Sequence, residues 1–197
     1  MISLLPLLGF AVVMYITPGP NNIMVASSAA AHGVPATLPH MFGIALGFAA
    51  MLVLVGAGAG AAVGAWPGLA PAMRWIGAGW MAWIAWKIAT AKLPHEGGRR
   101  RLLGFWGAAG FQWINPKAWL IALAVAGSFI VPGHAAGPQV LRIGLVFLGC
   151  SMPCLLVWAL LGSGAGRLLA APAQFRTFNL VMAALLVASV VPVLAGY

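Results

Sequence analysis

The chain has 197 residues, 63% of them hydrophobic and 6% charged, with ten Lys or Arg against a single acid and a net charge of +9. Soluble domains carry about 25% charged residues, so this composition cannot cover a water-facing surface, and lipid is the matching solvent. The bases sit mainly in connecting segments, which fits orientation in a bilayer and leaves no basic face for the phosphate contacts of nucleic-acid binding.

Apolar segments cover residues 4–31, 39–63, 69–91, 104–131, 139–162 and 177–195. Each is long enough to cross a bilayer as a helix and lacks the short alternation of barrel strands. The expected fold class is therefore all-α integral membrane, with six transmembrane helices in a single domain and the bilayer as a partner. The run Ala26-Ser27-Ser28-Ala29-Ala30-Ala31 resembles a signal-peptide cleavage region, but no base precedes the first apolar run and that run is too long. It reads as a retained span.

Span one is interrupted by Thr17-Pro18-Gly19-Pro20-Asn21-Asn22. Pro18 and Pro20 remove backbone donors, and Gly19 adds freedom, so several backbone groups lose their helical partners. Hydrocarbon offers them none, so the break must face protein or a wet cavity. Asn21 and Asn22 can satisfy the freed groups or present donors and acceptors to a substrate. The helix restarting near Asn21 presents free N–H groups and a positive dipole end, which suits a carboxylate.

Span two carries Gly43-xxx-Gly47, a small-residue pattern that permits close helix packing within or between subunits, so a homo-oligomer is compatible with it. After span three comes the basic loop 92–103 with Lys92, Arg99, Arg100 and Arg101; Lys87 precedes it, and Arg167 and Arg176 flank the fifth loop. Only Arg74 and Arg142 fall on the opposite side. The positive-inside rule then puts loops one, three and five in the cytoplasm and both termini outside. Trp66, Trp75, Trp80, Trp83 and Trp86 read as interface and packing aromatics.

Span four holds a second break, with Gln112, Asn115, Pro116 and Lys117. A Lys near mid-span costs about 2.5–3.5 kcal/mol on insertion scales, so it faces a cavity or a partner. Its cation can bind a substrate carboxylate, or simply bond to the freed carbonyls of span one. Span five carries Cys150 and Cys154, one helical turn apart, which read as small packing residues.

The halves resemble each other. Gly56-Ala57-Gly58-Ala59-Gly60 ends span two and Gly162-Ser163-Gly164-Ala165-Gly166 ends span five; Ala70-Pro71-Ala72 and Ala171-Pro172-Ala173 follow in turn. Repeats of about 1–92 and 104–197, each with three spans, must be inverted relative to each other, a recurrent plan of secondary transporters with interrupted helices at matching positions. The two breaks then offer a carboxylate-friendly pocket near the membrane centre. No embedded acid is present for an ammonium group, so backbone carbonyls and Asn oxygens must serve, and the substrate expected is a small neutral amino acid.

Residues 17–22 with Ala31-His32-Gly33 resemble the signature of the LysE/RhtB family of amino-acid exporters. The likeness continues through Gly43-Ile44-Ala45-Leu46-Gly47-Phe48, Trp83-Ile84-Ala85-Trp86-Lys87-Ile88-Ala89 and Phe111-Gln112-Trp113-Ile114-Asn115-Pro116-Lys117. It implies a six-span inner-membrane exporter of amino acids or close derivatives, driven by the proton gradient and needing no cofactor. The span-one and span-three motifs look most like the branch that exports cysteine and O-acetylserine. Many members of the family carry Asp or His in span two just after the glycines. Here Gly47-Phe48-Ala49-Ala50-Met51 has neither, which leaves the proton carrier open and disfavours a basic substrate.

Lys117, His32 and His40 are the titratable candidates for coupling; for each His the plainer alternative is an interfacial side chain with no such role. A metal-ion exporter wants convergent carboxylates, imidazoles or thiolates, which the spans lack. An intramembrane enzyme wants a nucleophile with a base in reach, and Ser27 and Ser28 show none. A purely structural membrane subunit gains nothing from polar breaks.

Overall fold

The computed structural model describes residues 4–59, 68–90, 103–131, 133–168 and 172–194. The basic loop with Lys92 and Arg99 to Arg101, Trp66, and the last residues of the second predicted span lie outside them. All regular structure among the described residues is helical.

The first predicted span is two helices, α1 (Leu4–Ile16) and α2 (Pro20–His32), bent by 53° at the expected break. Pro20 sits in the first turn of α2, where its missing N–H costs nothing. Gly33 then ends α2 and opens α3 (Val34–Leu54), with φ 81 and ψ 165. Helix α3 starts five residues before the predicted 39, because this glycine forms a sharp joint and Pro35 suits a first turn. It loosens at Val55–Ala59, where Gly58 has φ 122. Helix α4 spans Leu69–Ala89.

The fourth predicted span is likewise divided. Helix α5 (Phe105–Phe111) passes through a tight turn at Gln112–Ile114 and an extended Asn115 into α6 (Pro116–Phe129). Helix α7 (Ala136–Leu168) carries Pro153 inside it, and α8 covers Pro172–Leu194.

Among the described residues, two helical stretches, Val34–Gly58 and Ala136–Ala165, are each long and apolar enough to cross a membrane, and the bent pair α1 and α2 makes a third. Large apolar side chains on α7, including Leu141, Leu145, Leu160 and Leu161, face outward, as in a protein whose surround is lipid. The chain is a multi-pass helical membrane protein.

Helix α7 is the central post, packed on α1, α2 and α3; α4 pairs with α8, and α3 lies along α5. Gly43 and Gly47 explain that last contact. A Cβ at Gly43 would strike the Phe105 carbonyl, and one at Gly47 would stand 2.6 Å from Ala109 Cα. The small-residue pattern, open at first between packing within and between subunits, packs within the chain.

The Gly33 joint gives a local test. Its backbone lies where essentially only glycine is found, at a cost of about 1–3 kcal/mol for other residues. Gly33→Ala is expected to lower the thermal midpoint of the purified protein. Gly9→Ala in α1, where nothing lies within 4 Å of the added Cβ, should not.

Candidate functional site

The bend between α1 and α2 exposes carbonyls that a continuous helix would pair. Each from Tyr15 to Pro18 receives a side-chain donor. Asn22 Nδ2 donates to the Tyr15 carbonyl at 2.7 Å and to that of Thr17 at 2.9 Å. Trp158 Nε1, from α7, donates to the Ile16 carbonyl at 3.3 Å. Lys117 Nζ, from the first turn of α6, donates to the carbonyls of Thr17 at 2.9 Å and Pro18 at 3.3 Å. The break is thus lined by protein, as the cost of unpaired groups in hydrocarbon requires.

The second break has its own local logic. Asn115 Oδ1 accepts from the Lys117 backbone N–H at 3.1 Å, a side-chain cap on α6, and Pro116 takes the first helical position. Trp119 Nε1 donates to the Trp113 carbonyl at 2.9 Å. This cap aims Lys117 at the first break.

The two breaks are also tied by an amide pair. Asn21 Nδ2 donates to Gln112 Oε1 at 2.9 Å, and Gln112 Nε2 donates back to Asn21 Oδ1 at 3.2 Å. Gln112 Nε2 also donates to the Ala108 carbonyl at 2.9 Å, and the side chain is fully buried. A reciprocal pair of this kind fixes the orientation of both amides.

Between them lies a small cavity of about 30 Å³. Of the sequence candidates, Gly19, Pro20, Asn21, Asn22, Asn115 and Lys117 line it. Thr17 and Pro18 enter through their carbonyls on Lys117, Gln112 stands behind Asn21, and Pro116 is buried as the helix start. Gly19 leaves room for the Lys117 side chain. Its φ is an ordinary extended value, but an added Cβ would stand 2.8 Å from Lys117 Cδ and 2.9 Å from Nζ.

Sequence reasoning missed an aromatic wall. Tyr15, Phe48 and Phe147 also line the cavity, with ring centroids 5.9–6.0 Å apart in tilted and edge-on contacts. Phe48 is one of the residues that follow the span-two glycines. Nothing in the sequence separates such rings from ordinary core aromatics.

The cavity has room for water but is far smaller than the roughly 300–1,000 Å³ of small-molecule sites. In the site as folded, Lys117 is seated on the carbonyls and Asn21 is seated on Gln112. A carboxylate entering here would exchange a charged hydrogen bond for another, drawing Nζ and the first-turn amides of α2 toward itself.

His32 and His40 do not join this site. They line a second cavity, of about 320 Å³, with Ser27, Ser28, Trp83 and Lys87.

The sequence matches the LysE type translocator family over residues 12–195. It is 31% identical over 178 residues to a cysteine/O-acetylserine efflux protein of Salmonella typhimurium, and the alignment covers 90% of each chain. It is 30% identical over 179 residues to the protein of that name in Escherichia coli K12, again with 90% of each chain covered. No solved structure matches the chain. Translocators move solutes across membranes and do not convert them, and two broken helices that meet at a half-buried Lys suit such passage. With the match running through both breaks and nearly the whole sequence, the chain belongs to the LysE type translocator family.

Proposed function

We propose that this protein is a secondary active exporter of small neutral amino acids or their derivatives, of the cysteine and O-acetylserine kind, with homoserine and threonine in the same class. It works in the bacterial inner membrane and draws on the proton gradient, with no cofactor. The observation that carries this reading is the seating of Lys117 Nζ on the Thr17 and Pro18 carbonyls, one broken helix holding a cation over the other. Its relatives' names support this choice of substrate class.

The architecture proposed is six spans in two inverted repeats, with both termini outside. Under such a repeat α1 corresponds to α5, α2 to α6, α3 to α7 and α4 to α8. A two-fold relation then requires that if α3 packs on α5, α7 packs on α1, and both contacts are present; α2, however, packs on α3 and α7 far more extensively than α6 packs on their counterparts α7 and α3. It also makes α3 with α7, and α4 with α8, pairs that map onto themselves, and both of these contacts are present as well. Asn21 and Gln112, bonded reciprocally across the breaks, lie at this junction.

Among the described residues no three His, Cys, Asp or Glu side chains converge, so nothing there favours the metal-ion alternative. The test is export of a panel of radiolabelled neutral amino acids from cells, with and without a proton uncoupler. Efflux of cysteine or O-acetylserine that stops on uncoupling is expected. Absence of efflux for every member of the panel, repeated with purified protein in proteoliposomes, would overturn the amino-acid reading and leave an exporter of metal ions or another small solute, or a non-transporting membrane subunit.

A further inference from the structure

The second cavity has the size that the break site lacks. Its volume of about 320 Å³ falls within the roughly 300–1,000 Å³ of small-molecule sites. Met24, Ser27, Ser28, Ala31 and His32 of α2 form one wall, His40 of α3 the second, and Trp83, Ile84, Lys87 and Ile88 of α4 the third, with Leu103 ahead of α5.

Its buried side is polar and unpaired. His40 is 2% exposed and Ser27 is 8% exposed, yet neither ring nitrogen of His40 nor the Ser27 hydroxyl has a hydrogen-bond partner within the protein. Buried polar groups left so are costly, and they mark places where a ligand or water completes the bonding. In either neutral tautomer the ring offers one donor and one acceptor, and the hydroxyl offers both, which suits a zwitterion. The outer side is cationic and aromatic. Lys87 and Trp83 are exposed, with Lys87 Nζ 5.2 Å from the Trp83 ring centroid. Among the described residues, no acid lines the cavity.

Two further facts give it a place in transport. The lining includes residues that flank the first and third loops, His32 on one and Lys87 and Leu103 on the other, which the distribution of bases puts on the cytoplasmic side. Asn21, Met24 and Ser28 stand at i, i+3 and i+7 of α2, so one face of that helix runs from the break to this cavity. At about 1.5 Å per residue the separation is roughly two turns.

We propose that this cavity is a cytoplasmic loading site for the amino acid, distinct from the break site. The carboxylate lies toward Lys87, the polar atoms of the zwitterion complete the bonding of His40 and Ser27, and the α2 face of Asn21, Met24 and Ser28 leads onward. This rests on the exporter reading for the identity of the ligand.

The test uses the full-length protein in lipid nanodiscs, with Cys150 and Cys154 replaced by Ala and a reporter thiol supplied by Ser28→Cys. Alkylation by N-ethylmaleimide is timed with and without S-methyl-L-cysteine or L-serine. Thr90→Cys, at the exposed end of α4, is the reference thiol. One of the two amino acids is expected to slow alkylation at position 28 by about fivefold when present at a few times its dissociation constant, since protection follows 1 + [L]/Kd. Position 90 should not respond. His40→Leu and Ser27→Ala should each remove the protection, His40→Gln should retain part of it, and all three should remain monodisperse on gel filtration. Protection should survive Lys117→Met, which acts at the other site.

Equal slowing at position 90, no slowing by either amino acid in a protein that exports it, or protection that vanishes with Lys117→Met would each overturn the loading site and show a water-filled cavity only. Protection at position 28 in a protein that exports nothing would instead overturn the exporter reading and leave the binding site standing.

Discussion

Lys117→Met is expected to reduce amino-acid export by about a hundredfold, since a single hydrogen bond to a charged group contributes about 1.5–3 kcal/mol and each 1.4 kcal/mol is tenfold in rate. The same substitution should leave insertion and folding nearly intact, and this separation is the informative part. A cation in the span costs about 2.5–3.5 kcal/mol to insert, so its removal relieves a penalty. Little is orphaned in return. The Thr17 carbonyl keeps its bond from Asn22 Nδ2 at 2.9 Å, and only the Pro18 carbonyl loses the donor described for it. Gly19→Ala should have the same effect with Lys117 still present, because the added Cβ occupies the path of the Lys stem. Efflux from cells, read beside the yield of membrane-extracted protein and its thermal midpoint, checks both. Full export by Lys117→Met would remove this residue from the transport site.

The sequence made the breaks readable because their cause is local. Pro18 and Pro20 flank Gly19, and Pro116 follows the capping Asn115, so donors are lost beside residues that loosen or cap a helix, whereas the lone Pro153 stays inside continuous α7. The identity of the site residues followed from the same logic, since polar side chains beside a break in hydrocarbon must find partners there. What joins to what was not local. That Asn21 meets Gln112, 91 residues away, depends on how two helices cross. That Trp158 reaches the Ile16 carbonyl depends on α7 lying beside the bend. In the sequence His32 and His40 read as coupling candidates or interfacial side chains, and only packing shows that His40 is buried on a cavity wall. The small size of the break site was hidden too, because volume between helices is not a property of any one segment.

Glycines show the same divide within a single motif, and yield the sharpest stability test. Gly162-Ser163-Gly164-Ala165-Gly166 stands out in the sequence as a repeat element. The structure separates them. A Cβ at Gly162 would strike the Ala26 carbonyl of α2, whereas at Gly164 nothing lies within 4 Å. The obstacle at Gly162 is backbone, which cannot change rotamer, so a side chain there must push α2 and α7 apart. Close approach of backbones is what small residues provide between membrane helices, where no hydrophobic force draws the helices together. Overpacking costs about 1–3 kcal/mol where side chains can adjust, and a backbone clash lies at or above the upper end. Gly162→Val is therefore expected to abolish monodisperse protein after extraction, and Gly162→Ala to lower the thermal midpoint markedly. Gly164→Ala should raise it, because Ala in a helix is more stable than Gly by about 1 kcal/mol where space permits. Helix α2 also carries Asn21 and Asn22, so displacement of α2 should weaken export even in whatever Gly162→Ala protein survives. Equal tolerance at positions 162 and 164 would mean that α2 and α7 do not pack as closely as described.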